Sequence, residues 1–194
     1  MEGHIQILLF LFLPLLSFFI LIFFGNRFKD KASYVGLSLI GLMLVNAISI
    51  LILSLSHPHH WPLYLSFNWF DTGNFSINLG YFVDNITAIM LVVVSLISFL
   101  VHLYSIEYMK GDLRFSRYYA FLGIFTFSMN GIVLADSLVM MYVFWELVGL
   151  SSFLLIGFWF EKDKPPLAAN KAFLTNRVGD IGMFIGIMIL FFAL

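Results

Sequence analysis

Long stretches poor in charge recur along the chain at 5–24, 32–56, 85–109, 115–135, 137–160 and 166–194. Each is close to the roughly 17–25 residues a helix needs to cross hydrocarbon. The pattern predicts an all-α integral membrane protein of six transmembrane helices, forming a single membrane domain over 1–194. The one long connection is loop 2, 57–84, and it changes period. Phe75, Ile77, Leu79 and Tyr81 alternate with Ser76, Asn78 and Gly80 after the turn-forming Asp71-Thr72-Gly73-Asn74, which predicts a short β-hairpin. Asp84 and Asn85 then stand where helix 3 begins, as an N-cap would.

The basic residues orient these helices. Arg27, Lys29 and Lys31 follow helix 1, Lys110, Arg114 and Arg117 lie between helices 3 and 4, and Lys162 and Lys164 precede helix 6. The other loops have no Lys or Arg, so the positive-inside rule places loops 1, 3 and 5 on the cytoplasmic or matrix-equivalent side. The N-terminus and the hairpin then lie outside. The first residues, MEGHIQ, carry no basic group and the run after them has no small-residue cleavage site, so the first helix reads as retained and not as a signal peptide.

Composition agrees, with 61% hydrophobic and 11% charged residues where a soluble domain has roughly 45–50% and 25%. A net charge of −1 without a basic patch excludes nucleic acid as a partner. The lack of cysteine excludes disulfides, thiol chemistry and cysteine-ligated iron–sulfur clusters. His57, His59 and His60 cluster in loop 2, but between prolines and without a nearby carboxylate they read as a solvated loop, and no metal is assigned. Trp61, Trp69, Trp145 and Trp159 largely follow the aromatic-belt pattern, and Gly182 and Gly186 form a small-xxx-small pair suited to helix packing.

The charges left inside the spans carry the candidate chemistry. Glu146 is the lone ionisable group of 137–160, at a depth where a charge costs roughly 2.5–3.5 kcal/mol, so it needs a partner or a wet path. A neutral glutamic acid bonded to a neighbouring helix is the plainer alternative. Gly149, one turn on, would admit another backbone to that face. Helix 6 holds Lys171, Asn176, Arg177 and Asp180; the last three share one face, and Arg177 with Asp180 reads either as a fixed structural ion pair or as part of a conducting path. At 1.5 Å per residue, Glu146 and Asp180 both lie about 21 Å from the basic end, Arg177 about 16 Å, His102 about 10 Å and Lys171 about 8 Å. The expected proton pathway is therefore Glu146, Lys171, Arg177, Asp180 and His102, the last titrating ordinarily near neutrality. Lys171 could equally snorkel to the interface, and His102 could be a packing residue.

The stretches HLYSIEYM (102–109), FSRYYAFLGIF (115–125), LADSLVMMYVFWELVGLSSFLLIGFW (134–159) and KAFLTNRVGD (171–180) resemble the antiporter-like subunits of NADH:quinone oxidoreductase, complex I, above all their large L-type member. The large subunit of multi-subunit sodium/proton antiporters is related to these. The resemblance implies a respiratory-chain, proton-translocating subunit of an energy-transducing inner membrane, such as a bacterial plasma membrane. In it Glu146 is the key glutamate of helix 5, paired with a lysine on a seventh helix beyond this sequence. Lys171, Arg177 and Asp180 correspond to residues near that glutamate, and His102 to a histidine of helix 3. Family members are longer, with a second inverted repeat, so the chain reads as an N-terminal portion. The resemblance also implies that NAD, flavin, iron–sulfur clusters and quinone belong to other subunits of the enzyme complex. The expected partners are the other membrane subunits, the lipid bilayer and protons. A cation/proton antiporter subunit and a non-conducting structural scaffold stay open beside this reading.

Cysteines introduced at Lys29 and Asn74 are expected to react with an impermeant thiol reagent from opposite faces of the membrane. Labelling of both from one side would overturn the orientation and the depths derived from it.

Overall fold

A computed structural model describes residues 2–28, 31–57, 59, 61–71 and 76–193. Lys29, His60 and the turn Thr72-Gly73-Asn74 lie outside the described residues. Six helices, α1 (Glu2–Phe28), α2 (Ala32–Ser56), α3 (Asn85–Tyr108), α4 (Phe115–Leu134), α5 (Leu138–Ile156) and α6 (Lys164–Ala193), accompany one hairpin of β1 (Leu63–Asp71) and β2 (Ser76–Val83), which lies between α2 and α3 in the chain. The expected all-helical membrane architecture with a hairpin in loop 2 is therefore found. Helix 1 is longer than its apolar run, because its polar first turn and Arg27 continue the helix past the hydrocarbon-length segment. Helix 5 ends earlier than the expected 160: Gly157 caps it, and the chain turns through 157–163 into α6.

Five helices, all but α4, are long and apolar enough to cross a membrane. The exception is informative, because α4 is the helix most enclosed by the others. It packs against α1, α2, α3 and α5 as well as β2. Its polar positions Thr126, Ser128 and Asn130 are buried in protein, so they never meet lipid. Thr126 and Ser128 return their hydroxyls to the carbonyls of Leu122 and Ile124, at 2.9 and 2.7 Å. Gly123 is what lets α1 approach: a Cβ there would lie 3.0 Å from the Pro14 carbonyl oxygen and 3.2 Å from the Phe18 nitrogen. The α1–α2–α3–α4 core, with Phe10, Ile40, Met43, Leu91 and Leu134 buried, forms one side of the molecule. On the other side α5 leans on α4, and α6 leans on α5.

The hairpin is antiparallel, pairing Leu63 with Val83 through Asp71 with Ser76, with an irregularity between Asn68 and Phe70. It docks at the end of the bundle free of Lys and Arg. Tyr81 bridges to Ala135, and its hydroxyl lies 2.5 Å from His4 Nδ1. Burial pushes the Tyr81 phenol up from its ordinary range, so the hydroxyl stays neutral in this contact. Ser137 donates to the Asn78 carbonyl at 3.3 Å and its oxygen also accepts from Met140 N, capping α5. The start of α1, the hairpin, the start of α3 and the α4–α5 turn thus share one end. The opposite end is joined by Trp159, whose indole donates to Asp112 at 2.9 Å, and by the Arg114–Glu161 pair at 3.4 Å.

Asp84 caps α3 as its position predicted, with Oδ1 accepting from the Thr87 backbone at 2.7 Å, while Ser54 donates to Asn85 Oδ1 at 2.5 Å and ties α2 to the same corner. The Thr87 backbone N–H holds the Asp84 carboxyl below its ordinary value. A depressed carboxylate adds stability above its unfolded-state pKa and loses it as pH falls through the folded one. Asp84→Ala is expected to cost about 0.5–2 kcal/mol at neutral pH, with the difference from wild type shrinking below about pH 4. Unfolding in micelles across that range checks it; a difference constant from neutrality into strong acid would exclude the cap as its cause.

Candidate functional site

Glu146 falls near the middle of α5, and Arg177 reaches it from α6. The guanidinium Nη1 donates directly to Glu146 Oε2, and the same nitrogen stands 3.9 Å from Asp180 Oδ2. The spacing explains the geometry: Arg177 and Asp180 are one turn apart on one helix, so a single side chain can lie between its own neighbour and the facing helix. The sequence pairs Arg177 with Asp180, but in three dimensions Glu146 is the nearer partner. The cluster is largely enclosed, with Glu146, Arg177 and Asp180 side chains 23%, 40% and 7% exposed.

Two aromatic residues of α5 complete it. Tyr142, one turn before Glu146, donates its hydroxyl to Glu146 Oε1 at 2.8 Å. Trp145 crosses to α6 and donates its indole N–H to Asp180 Oδ1 at 3.0 Å. Each carboxylate therefore has one neutral donor from α5 besides the shared cation, while Arg177 also lies over the Phe173 ring at 4.8 Å. The count of charges is uneven: two carboxylates and one guanidinium leave the cluster one positive charge short of neutrality. A cleft of about 270 Å³ adjoins it, lined by Trp145, Gly149, Thr175, Asn176, Asp180 and Met183, with room for several water molecules.

The remaining expected site residues lie apart. Lys171 is exposed on α6, six residues before Arg177, with no side-chain partner among the described residues. His102 is fully buried in the α3–α4 seam, its Nδ1 bonded to the Ser98 carbonyl at 2.8 Å and its ring against Tyr119 at 5.6 Å. Its Nε2 is buried without a hydrogen-bond partner among the described residues. That seam is polar along its length: Ser98 meets Thr126 at 3.0 Å, Ser105 meets Tyr118 at 3.3 Å, and Tyr119 donates to the His102 carbonyl at 2.9 Å. Heights along helices say nothing of lateral position, and α4 stands between His102 and α5. No group of three or more metal-ligating side chains occurs among the described residues. Gly149 faces open space and not the expected backbone, and so do Gly182 and Gly186, with no atom within 4 Å.

Tyr142 and Trp145 escaped the sequence reading because aromatic residues were expected at interfaces. A signal was available for each: Tyr142 is four residues from a lone buried acid, and Trp145 sits at mid-span, where a belt residue does not belong.

Comparison with known proteins finds relatives among membrane subunits of quinone oxidoreductases. Residues 69–119 match the family described as NADH-ubiquinone oxidoreductase (complex I), chain 5 N-terminus, and residues 135–194 that of the NADH:quinone oxidoreductase/Mrp antiporter transmembrane region. The chain is 46% identical over 165 residues to NAD(P)H-quinone oxidoreductase subunit 5 of the Chlorokybus atmophyticus chloroplast, covering 84% of this chain and 25% of that protein. It is 40% identical over 170 residues to chain 5 of the Picosynechococcus sp. enzyme, covering 88% and 25%. The chain thus spans about a quarter of the length of these relatives. Its fold matches a subunit of an archaeal respiratory membrane complex, the membrane-bound sulfane sulfur reductase, with a TM-score of 0.77 at 15% identity, over 93% of this chain and 36% of that one.

Trp145→Phe removes a hydrogen bond to a charged acceptor and is expected to destabilise the α5–α6 pair by about 1.5–3 kcal/mol. Unfolding midpoints in mixed micelles check this; a variant as stable as wild type would show that the indole bond holds nothing.

Proposed function

Because the chain belongs to the family of antiporter-like membrane subunits of NADH:quinone oxidoreductase, complex I, we propose that it takes part in proton translocation, through Glu146, Arg177 and Asp180. The observation that carries this reading is two carboxylates sharing one guanidinium inside spanning helices. In a poorly solvated place the missing positive charge is strongly favoured, and a proton is the smallest means of supplying it. A proton on Glu146 cancels its attraction for Arg177 and turns the guanidinium toward Asp180. Loss of that proton draws it back, and the cleft beside Trp145 and Asn176 gives water a place from which to exchange. Lys171 stands at the basic end of the same helix as an entry point. His102 serves a separate polar seam, through Ser98, Thr126 and Ser105, in the α1–α4 half of the molecule.

The chain supplies no redox chemistry in this proposal. Electron transfer from a nicotinamide cofactor to quinone, with flavin and iron–sulfur clusters, takes place in other subunits, and reaches this one as a change in the charges near Glu146. The partners are those other membrane subunits, in an energy-transducing membrane of bacterial or plastid type, with the basic loops on the side where positive charge is retained. A cation/proton antiporter subunit is the second reading, favoured by the Mrp antiporters included in the family matching residues 135–194. Proton movement that requires sodium on the opposite side of a sealed vesicle separates the two.

Glu146→Gln keeps the shape and an acceptor for Tyr142 but cannot exchange a proton. In the assembled complex it is expected to abolish most pumping in sealed vesicles while electrons still reach quinone. Asp180→Asn, which keeps an acceptor for Trp145, is expected to reduce pumping at unchanged subunit content. Wild-type proton stoichiometry in Glu146→Gln would end this proposal.

A further inference from the structure

The two ends of the bundle differ in charge. Among the described residues seven Lys and Arg, Arg27, Lys31, Lys110, Arg114, Arg117, Lys162 and Lys164, stand at one end beside four acidic residues, whereas the other end holds Glu2, Asp71, Asp84 and Asp136 and no Lys or Arg. At the basic end most described carboxylates are taken. Glu107 pairs with Lys110 at 3.1 Å, Glu161 with Arg114 at 3.4 Å, and Asp112 accepts from the Trp159 indole at 2.9 Å. Arg114 is further committed, lying over the Phe160 ring at 4.4 Å. Arg117, on the first turn of α4, is exposed and has no anionic partner among the described residues. It borders a crevice of about 260 Å³ where α4, α5 and α6 converge, walled by Phe121, Leu154, Phe158 and Ala169. Phe158 and Ala169 are buried at its floor, while Arg117 and Asn170 are exposed at its lip.

We propose that this crevice binds one anionic phospholipid, its phosphate on the Arg117 guanidinium with the Asn170 side-chain amide as a second donor, and an acyl chain along Phe121 and Leu154. The planar guanidinium fork suits a phosphate, which can take two parallel hydrogen bonds from it. The wall is apolar and the lip polar, so an amphiphile fills the space where a small polar anion would leave the aromatic wall wet. The sign of the headgroup follows from the excess of positive charge at this end, which favours a lipid with net negative charge over a zwitterionic one. A lipid wedged there fills the basic-end junction of α6 with α4 and α5, apart from the cleft lined by Trp145, Gly149 and Asp180. The proposal does not depend on which ion the protein moves.

The test is made on the chain purified from its membrane with its partner subunits in mild detergent. Native mass spectrometry is combined with titration by phosphatidylglycerol, phosphatidylcholine and inorganic phosphate. Wild type is expected to retain one phosphatidylglycerol per chain. Arg117→Gln should bind it about fivefold more weakly, the effect of one interfacial cation. Leu154→Trp, which fills the wall and leaves every charge in place, should lose it too, and Arg27→Gln, elsewhere on the same rim, should not. Four outcomes overturn the proposal: equal retention of phosphatidylcholine, wild-type retention by Arg117→Gln, displacement by millimolar inorganic phosphate, or a crevice holding no lipid because a neighbouring subunit fills it.

Discussion

An ion pair between two helices inside hydrocarbon is the constraint from which the rest of this structure follows. Bringing Glu146 into a spanning helix costs several kcal/mol unless its charge is met, and Arg177 meets it from α6. That contact fixes the rotation of both helices about their axes, because a guanidinium can bridge only faces that look at each other. It also fixes their relative height. Once Glu146 and Arg177 are opposed, the one-turn spacing of α6 brings Asp180 beside the same cation, and Trp145 lands within reach of Asp180. Hydrophobic burial contributes less here than in the other half: Ser151 is the one described residue of α5 that is buried, and α6 buries Ala169 and Asp180. Polar contacts define this pair where apolar ones define α1 to α4.

The α1–α4 half solves the opposite problem. Helix α4 is too polar to face lipid, and it is stable because four helices enclose it and its hydroxyls bond to its own backbone or to α3. Close approach at Gly123 gives α1 and α4 the backbone contact that draws the polar stripe inside. In membranes helix association rests on such packing and on polar bonds, since lipid is as apolar as leucine. The half with the tight core gives α5 a fixed surface on which to stand, and the α5–α6 pair projects from it.

How much of this was legible depended on whether a property is one-dimensional. The six helices, the hairpin, the Asp84 cap and the segregation of basic loops are all periodic or positional, and the pattern along the chain carries them. Glu146 stands out for the same reason, as one acid in an apolar run. The partner choice of Arg177 was not legible. Spacing along α6 points to Asp180, and only the rotation of α5 against α6 shows that Glu146 is nearer. His102 is the complementary case: its height on α3 aligns it with Lys171 and Arg177, yet height carries no information about which seam a helix faces, and its ring lies between α3 and α4. The positions of Gly149, Gly182 and Gly186 predict close packing, and these glycines lie open because nothing among the described residues covers that side.

The distribution of donors decides what the cluster can do beyond holding two helices together. In a structural ion pair, removing the cation strands a bare carboxylate in a poorly solvated site, which is why such pairs are costly to break. Here neither carboxylate is left bare. If Arg177 turns to Asp180, Glu146 keeps the Tyr142 hydroxyl, and if it turns to Glu146, Asp180 keeps the Trp145 indole. Both aromatic donors come from α5, so the acceptor on α6 is held by the helix that bears the other acid, and the two carboxylates cannot drift apart without losing a bond. The single cation thus stands between two carboxylates, bonded to Glu146 and 3.9 Å from Asp180, each of which has a neutral donor of its own.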